Sequence, residues 1–289
     1  MDLNRHVFKE LLSGDEEALA YINRVAKLNS PNGDVYEGKS AEEVLVEIDN
    51  KRTYKPQHGY NCPVCGNKGG HSEYNKTTKQ IWWTQCECLK HKKNTANTDR
   101  SGLGELLKHS VNNFKVTQEF QKKMKEMTIC YITKGKKEWL MYLGQSGCGK
   151  TMLCSAICNQ RLREGKEVKY LLWNEFVDAL NSMSNYDKDR EKYFTAFANA
   201  EILYIDDLFK GTITDHRKDI AFRLINHRYN HDLITIISSE LLLEDLAELD
   251  EAITGRLYQK TNFTNSKGEE QKYVFEVEKD RKKNYRFNS

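Results

Sequence analysis

Short apolar runs and amphipathic segments alternate along the second half of the chain. Apolar runs of strand length occur at five places: 139–143, 168–173, 202–205, 233–237 and 273–277. Segments with the three- and four-residue spacing of helices lie between the first four of them, at 151–163, 175–183, 188–199 and 216–229. Strands that alternate with helices require crossover connections, so this pattern predicts an α/β domain whose parallel sheet is flanked by helices.

The first part of the chain is predicted to be mostly helical. Apolar residues at helical spacing predict one helix over 2–28, and a Ser-Pro-Asn-Gly turn follows at 30–33. A second amphipathic helix is predicted to start after Ser40, an N-cap residue with Glu43 three positions later.

Charge separates a small basic module from the rest of the chain. Residues 51–100 carry a net charge of +7, whereas the remaining residues carry −4 and the whole chain +3. The polar segment 92–104 is typical of a linker, and a helix is predicted at 105–127. We therefore divide the chain into an N-terminal helical and cysteine-containing domain, 1–100, and an α/β domain, 101–289.

Composition excludes two classes of protein. Charged residues make up 30% of the chain and apolar residues 38%, which argues against both a membrane protein and a mostly disordered one. No apolar run approaches the roughly 20 residues that a bilayer requires, and the N-terminus lacks the apolar core of a signal peptide. We therefore expect a cytoplasmic protein, in which paired cysteines more often bind metal than form disulfides.

A glycine-rich segment follows the first predicted strand and precedes a predicted helix. Its eight residues match the phosphate-binding pattern G-x-x-x-x-G-K-[ST]: Gly144, Gln145, Ser146, Gly147, Cys148, Gly149, Lys150 and Thr151. The glycines let backbone N–H groups turn toward phosphate oxygens, and the helix adds its positive end. Lys150 can reach the outer phosphates of a nucleotide, and the Thr151 hydroxyl can bind Mg²⁺. We expect this P-loop to bind a nucleoside triphosphate.

Two carboxylates end a second apolar strand. The segment Ile-Leu-Tyr-Ile leads directly into Asp206 and Asp207. A buried strand of a parallel sheet places such residues at the carboxyl edge, where ligands bind in this architecture. Asp206 is then expected to hold Mg²⁺ through water, and Asp207 to orient the attacking water.

Three further polar residues allow more than one interpretation. Ser239 and Glu240 end another predicted core strand, where a polar side chain can sense the γ-phosphate or position water, although a simple strand end has the same pattern. Arg256 follows an acidic stretch. Such an arginine can reach the nucleotide of a neighbouring subunit, although most single arginines are ordinary surface residues.

Four of the eight cysteines form two close pairs in the basic module. Twenty residues separate the pairs, which are Cys62 with Cys65 and Cys86 with Cys88. Thiolates at such spacing can bind one tetrahedral Zn²⁺, and the metal would be structural because four protein ligands leave no open position. His71 or His91 can replace one cysteine, and the alternatives to zinc are reduced thiols or a redox pair.

Aromatic residues and lysines are interleaved in the same module. They are Tyr60, Lys68, Tyr74, Lys76, Lys79, Trp82 and Trp83. This mixture is typical of stacking on single-stranded bases, of a protein interface and of packing against the metal site, and the sequence does not separate the three. A weaker candidate for DNA contact is the segment 174–200, with Phe176, Tyr186, Lys188 and Arg190.

Between residues 105 and 289, several motifs together resemble the AAA+ replicative helicase loader family of DnaC and DnaI, including its phage-encoded relatives. The matching stretches are the P-loop, Leu-Tyr-Ile-Asp206-Asp207-Leu, Ile-Asn226-His-Arg228-Tyr-Asn, Ile-Ile-Ser-Ser239-Glu240 and Ala-Ile-Thr-Gly-Arg256-Leu. The adjacent aspartates are similar to those of this group and of the related transposition helper IstB. The resemblance implies that 101–289 is an AAA+ ATPase domain of the minimal kind, without a helical lid.

The resemblance also implies roles for individual residues. It implies binding of ATP and Mg²⁺ by three residues: Lys150, Thr151 and Asp206. It implies that Arg256 is an arginine finger, which completes the site of the next subunit in a homo-oligomer. Glu240 stands where many relatives carry a sensor asparagine, so we assign the sensor position to Ser239 and Glu240 together.

These resemblances lead to one functional hypothesis with two alternatives. They imply an ATP-hydrolysing loader that binds a hexameric DnaB-type helicase through residues 1–100 and also binds single-stranded DNA during initiation of replication. Its cofactors would be ATP, Mg²⁺ and Zn²⁺. The alternatives are a transposition helper ATPase similar to IstB, which typically lacks a zinc module in front, and an adaptor that binds nucleotide without significant hydrolysis.

Overall fold

The computed structural model describes residues 39–55, 61–135, 137–184, 188–264, 268 and 270–288. The helix predicted over 2–28 and the turn predicted at 30–33 lie outside these ranges, as do Tyr60 and Tyr186. The chain forms two compact units, Met1–Thr95 and Ala96–Ser289.

A helix and a β-hairpin precede the start of a second helix in the described part of the first unit. Helix α1 spans Ala41–Lys51, and strand β1, Gly70–Asn75, pairs antiparallel with strand β2, Gln80–Gln85. The predicted N-cap is confirmed, because Ser40 Oγ accepts a hydrogen bond from the Glu43 N–H at 3.3 Å and Glu43 accepts one from the Ser40 N–H at 2.8 Å.

Polar contacts fix α1 on this hairpin. The Asn50 side chain donates to the Ser72 carbonyl at 2.8 Å and accepts from the Ser72 N–H at 2.9 Å. The Lys68 side chain is only 4% exposed, and its ammonium lies 3.0 Å from Asp49 Oδ2. These contacts hold α1, the hairpin and the turn that carries Lys68 together.

The linker predicted at 92–104 is wrong for most of its length. Helix α2 spans Glu87–Arg100 and ends before Gly102, whose φ is 76°. Asparagine and threonine have weak helix propensity, but tertiary contacts outweigh that preference here. The Asn97 side chain donates to the carbonyls of Gly165 and Lys166, at 3.4 and 3.2 Å.

Five parallel strands form the main sheet of the second unit. In chain order the strands of this unit are β3 (Leu140–Gly144), β4 (Val168–Leu172), β5 (Ile202–Asp206), β6 (Ile234–Ser239), the antiparallel pair β7 (Asn262–Thr264) and β8 (Glu270–Lys272), and β9 (Val274–Val277). The sheet has the order β4-β5-β6-β3-β9, and every neighbouring pair is parallel. The predicted α/β fold with a parallel sheet is therefore confirmed.

Helices flank this sheet. They are α3 (Glu119–Lys134), α4 (Lys150–Arg163), α5 (Trp173–Ser182), α6 (Lys188–Ala198), α7 (Asp215–Asn230), α8 (Leu243–Leu249), α9 (Glu251–Thr261) and the four-residue α10 (Tyr285–Asn288). Over the described ranges, every helix is too short or too polar to serve as a membrane span.

The helix predicted at 105–127 is wrong in its first half. A 3₁₀ turn, Gly104–Lys108, and irregular chain precede α3. In the irregular part Phe114 is buried, and its ring lies so close to Gly149 that a Cβ there would come within 2.5 Å. Phe114 therefore packs against the P-loop instead of forming part of a helix.

Both faces of the main sheet are buried. Along β3, Leu140 and Tyr142 face one core cluster and Met141 and Leu143 face the other, and all four are 0% exposed. A strand buried on both faces is a continuous apolar run in the sequence, which explains why the apolar pattern located these strands. Their carboxyl ends meet at one edge of the sheet and bring together the polar residues that follow them.

A buried arginine joins two helices to the start of two strands. Arg228 on α7 is 0% exposed and donates to the carbonyls of Phe197, Ala198 and Ala200 at 2.9 to 3.1 Å. Its Nε also donates to Thr235 Oγ1 at 2.9 Å. The guanidinium therefore satisfies carbonyls at the end of α6 that would otherwise be buried without donors.

We expect Arg228→Met to lower the free energy of unfolding by about 3 kcal/mol, because several buried carbonyls lose their donors at once. The measurement is urea denaturation followed by circular dichroism. Arg223→Met on the same helix is the matched control and should cost less than about 1 kcal/mol, since Arg223 is half exposed. Equal losses for the two variants would contradict the structural role of Arg228.

Candidate nucleotide-binding site and cysteine cluster

The P-loop curls between β3 and α4 because glycine occupies its strained positions. Gly144 and Gly147 have φ values of 92° and 72°. A Cβ at Gly144 would lie 2.0 Å from the Val277 carbonyl oxygen, and one at Gly147 would lie 2.1 Å from Asn284 Oδ1. Glycine is therefore required both for the backbone conformation and for the close approach of the C-terminal segment.

Lys150 is folded back into this loop. Its side chain is buried, and Nζ donates to the carbonyl oxygens of Gly144 and Gln145, both at 2.7 Å. The loop carbonyls thus hold the ammonium where the outer phosphates of a nucleotide would compete for it.

Asp206 lies at the carboxyl end of β5 and is nearly buried. Its Oδ1 accepts hydrogen bonds from Thr151 Oγ1 at 3.1 Å, from the Tyr204 hydroxyl at 2.6 Å and from Ser238 Oγ, while Oδ2 accepts from the Tyr170 hydroxyl at 3.1 Å. The fold therefore brings the predicted Mg²⁺ ligands Thr151 and Asp206 together. A hydroxyl and a carboxylate are the oxygen ligands that Mg²⁺ prefers, so the residues present fit that ion.

Asp207 adopts a left-handed backbone conformation with φ of 55°. Its N–H donates to Ser238 Oγ at 3.1 Å, which accounts for the sharp change of direction after β5. Its carboxylate lies 2.7 Å from Lys210 Nζ. A non-glycine residue in this conformation is strained, and such strain is common at functional sites.

Ser239 and Glu240 have different surroundings. Ser239 is fully buried, and its hydroxyl donates to the Leu208 carbonyl at 2.7 Å. Glu240 lines the cavity of the P-loop and lies 3.3 Å from Lys210 Nζ. Of the two residues assigned to the sensor position, the structure places only Glu240 at the cavity wall.

These residues border a cavity of about 600 Å³. Its wall contains Ser146–Thr151, Asp206, Asp207 and Glu240, together with residues that the motifs did not identify: His109, Phe114, Lys210, Tyr285 and Arg286. Burial lowers the pKa of His109, whose Nδ1 lies 2.7 Å from Ser155 Oγ. The cavity has the size and the mixture of charged and aromatic groups that suit a nucleotide.

The C-terminal segment forms part of the same wall. The Asp280 N–H donates to Gln145 Oε1 and the Tyr285 N–H donates to the Gly147 carbonyl, both at 2.9 Å. Sequence spacing gave no indication of this contact, since 135 residues separate Asp280 from Gln145.

Arg256 lies on α9 and is not among the residues that line this cavity. Its Nε donates to Asn226 Oδ1 at 3.0 Å, and its guanidinium lies over the rings of Phe222 and Tyr229 at 5.1 and 5.7 Å. The side chain is half-buried and is oriented by these contacts.

The four cysteines of the basic module converge in the first unit. All four are buried, and their sulfur atoms lie within 4.8 Å of one another. The Sγ–Sγ distances are 3.7 Å for Cys62–Cys86 and 3.3 Å for Cys65–Cys88, far longer than a disulfide bond of about 2.05 Å. Thiolates about 2.3 Å from a tetrahedral zinc lie about 3.8 Å apart, so the cluster fits a zinc site.

The hydrogen bonds around the cluster favour an anionic sulfur. Burial would raise the pKa of Cys65, but hydrogen bonds from Cys88 and from the Gly69 N–H lower it to about 6. Of the two histidines considered as substitutes, His71 pairs with Glu73 at 2.9 Å instead of joining the sulfurs. The side chain of His91 lies outside the described part of the chain.

The tryptophans of the hairpin are not packed into the cluster. Trp82 and Trp83 are 56% and 53% exposed. Trp83 covers Gly70 and lies 5.8 Å from the Lys68 ammonium. Packing against the cysteines therefore does not account for Trp82, and both rings retain surface for a partner.

The parallel sheet, the P-loop after β3 and the acidic pair after β5 define a P-loop ATP-binding protein of the AAA+ type. The sequence model of the family described as "IstB-like ATP binding protein" matches residues 91–273, which is 183 of the 289 residues. The chain belongs to this family.

Three curated relatives are similar to the chain. The phage-like element PBSX protein XkdC of Bacillus subtilis strain 168 is 25% identical over 76% of this chain and 90% of XkdC. The uncharacterized protein YqaM of the same strain is 28% identical over 63% of this chain, and the replicative helicase loader DnaC of Escherichia coli K12 is 24% identical over 52%. The chain spans only 62% of YqaM and 63% of DnaC.

Among solved structures, the crystal structure of DnaI matches with a TM-score of 0.47 and 20% identity. That match covers 60% of this chain and 89% of DnaI.

Proposed function

We propose that this chain is an ATP-dependent helicase loader. It would bind a replicative hexameric DnaB-type helicase and single-stranded DNA at the initiation of replication, in the cytoplasm of a bacterial cell. The observation that carries the proposal is the sequence similarity to the replicative helicase loader DnaC. The similarity to XkdC, a protein of a phage-like element, supports a phage-related origin.

The geometry of the cavity supports ATP hydrolysis. The triphosphate would lie in the P-loop, and Lys150 would exchange the carbonyls of Gly144 and Gln145 for the outer phosphates. Thr151 and Asp206 would hold Mg²⁺, which neutralises phosphate charge when bound. Asp207 would accept a hydrogen bond from water, whose oxygen bonds to the γ-phosphorus as the bond to the β–γ bridging oxygen breaks. The products are ADP and inorganic phosphate.

Arg256 would complete the site of the next subunit in a homo-oligomer. It lies away from its own cavity, it is half-buried, and Asn226 together with two aromatic rings orients it. A guanidinium held in this way can be presented to a neighbour with little loss of side-chain entropy.

Mixing two inactive variants tests the shared site. Lys150→Ala and Arg256→Ala should each lower ATP turnover by about 10³-fold. For Arg256 this is the order of magnitude that an arginine finger contributes. The mixture should exceed either variant, because an Arg256→Ala subunit with an intact P-loop can use the arginine of a Lys150→Ala neighbour. Arg223→Ala is the control and should retain wild-type turnover. A mixture no more active than its components would count against the shared site.

We also propose that the cysteine cluster holds one structural Zn²⁺. Four buried thiols supply all four ligands of a tetrahedral site, so no position remains open for catalysis. The metal would link the turn at Cys62 and Cys65 to the start of α2 at Cys86 and Cys88. The described part of the first unit is small, and a metal cross-link compensates for a limited apolar core.

Purified protein should contain about one zinc per chain, measured by mass spectrometry of the metal. Cys65→Ser should lose the metal and lower the melting temperature of the first unit. Cys130→Ser is the matched control, because this cysteine lies outside the cluster, and it should retain the zinc. Metal-free wild-type protein with an unchanged melting curve would refute the proposal.

The first unit would carry the helicase-binding surface. Its hairpin exposes Trp82 and Trp83, and aromatic residues of this kind are enriched at protein interfaces and on single-strand-binding surfaces. The second unit would then supply the ATP-dependent step.

Co-purification tests the proposed partner. The tagged full-length chain should retain purified hexameric DnaB-type helicases, whereas the Cys65→Ser variant should not, because its first unit loses the zinc cross-link. Lys150→Ala should still retain the helicase, since it changes only the nucleotide site. A chain that hydrolyses ATP but retains none of the helicases tested would contradict the loader function.

A second candidate function follows from the description of the family itself. An IstB-like transposition helper would share the ATPase domain and would bind a transposase instead of a helicase. The co-purification experiment separates the two candidates when it includes a transposase. Absence of ATP turnover in an oligomeric wild-type preparation would instead favour a nucleotide-binding adaptor.

A further inference from the structure

Three charged side chains meet in the P-loop cavity, at the place where the chain leaves β5 and β6. Lys210 Nζ lies 2.7 Å from Asp207 Oδ2 and 3.3 Å from Glu240 Oε1, and all three residues line the cavity. Their side chains are 44%, 22% and 36% exposed, so a ligand in the cavity can reach them. The group combines one cation with two carboxylates.

Glu240 would repel a polyphosphate if its charge were not offset. Burial alone would raise the pKa of Glu240, but the charge of Lys210, with contributions from Ser146 and Lys150, lowers it below its ordinary value. Glu240 is therefore an anion in the cavity at neutral pH. A nearby cation is needed before a second anion can bind favourably at this place.

The backbone around Lys210 is fixed, whereas its side chain can reorient. Asp207 and Phe209 both have left-handed φ values, 55° and 61°, and the side chains of Leu208 and Phe209 are buried in the core. The Leu208 N–H donates to the Ser238 carbonyl at 2.9 Å. Only the four-carbon chain of Lys210 needs to rotate for its ammonium to leave one anion for another.

We propose that Lys210 is a specificity-determining residue through which this site distinguishes a nucleoside triphosphate from a diphosphate, an inference that rests on the ATPase function proposed above. Without a γ-phosphate, the ammonium stays paired with Asp207 and Glu240. When a γ-phosphate is present, the ammonium turns toward it and keeps Glu240 from repelling it. The same movement releases Asp207 Oδ2, which is then free to accept a hydrogen bond from the attacking water.

Nucleotide affinities of full-length Lys210→Met test this role. The probes are the non-hydrolysable triphosphate AMP-PNP and ADP, each with Mg²⁺ and at one ionic strength. Lys210→Met should weaken AMP-PNP binding by about tenfold or more and ADP binding by less than about twofold, since one charge-assisted hydrogen bond to phosphate is lost. Equal weakening of both nucleotides, or no change in either, overturns the proposal.

Three further variants separate this role from a structural one. Lys218→Met removes an ion pair of the same i,i+3 spacing, with Asp215, on α7 away from the cavity, and it should leave both affinities unchanged. Lys210→Arg keeps a cation and should keep most of the preference for AMP-PNP. Asp207→Asn removes the closer of the two carboxylates that hold Lys210, so this variant should bind AMP-PNP at least as tightly as the wild type while losing ATP turnover. A weakened AMP-PNP affinity in Asp207→Asn would overturn the proposal that Asp207 and the γ-phosphate compete for the Lys210 ammonium.

The same measurements distinguish this inference from the proposed function. Wild-type protein that binds both nucleotides but does not hydrolyse ATP would refute the ATPase, and the affinity ratio would still decide the role of Lys210. If the wild-type protein hydrolyses ATP but Lys210→Met does not change the ratio of the AMP-PNP and ADP affinities, only the role of Lys210 is refuted.

Discussion

The Asp206 carboxylate connects the elements that build the candidate site. Its hydrogen bonds reach Thr151 on α4, Tyr170 on β4, Tyr204 on β5 and Ser238 on β6. Burial and the adjacent carboxylate raise the pKa of both tyrosines, so each hydroxyl keeps its proton and acts as a donor. Since these donors come from four separate elements, the P-loop and the acidic pair adopt their relative positions only when β4, β5 and β6 are in register.

The two units bury different kinds of side chain. The second unit buries both faces of a five-stranded sheet, and its apolar clusters hold the strands that carry the site. The described part of the first unit has a two-stranded hairpin, α1 and the first turns of α2, and its four buried cysteine side chains form one cluster. Small folds with little apolar core commonly depend on disulfides or bound metals, and the proposed zinc would supply such a cross-link here. With the proposed zinc bound, loss of one thiol would be a larger perturbation there than loss of one methyl group in the sheet.

Residues close in sequence were predictable, whereas contacts across the chain were not. The P-loop and the acidic pair each follow an apolar strand, so local pattern was sufficient to locate them. The four cysteines were grouped correctly because their spacing restricts the possible geometry. Lys210 could have been noticed, since it lies three residues after Asp207, but its contact with Glu240 depends on strand order. Helix α2, Glu87–Arg100, was missed because the side chain of Asn97 is bonded to carbonyls of a turn far along the chain, at Gly165 and Lys166.

The contact between the C-terminal segment and the P-loop has a practical consequence for protein engineering. The Tyr285 N–H is hydrogen-bonded to the Gly147 carbonyl, and Tyr285 and Arg286 border the nucleotide cavity. A polypeptide fused shortly after these residues would begin close to the wall of that cavity. Affinity tags and fluorescent proteins attached there would crowd the residues that line the cavity, so labels for kinetic work belong at another position in the chain.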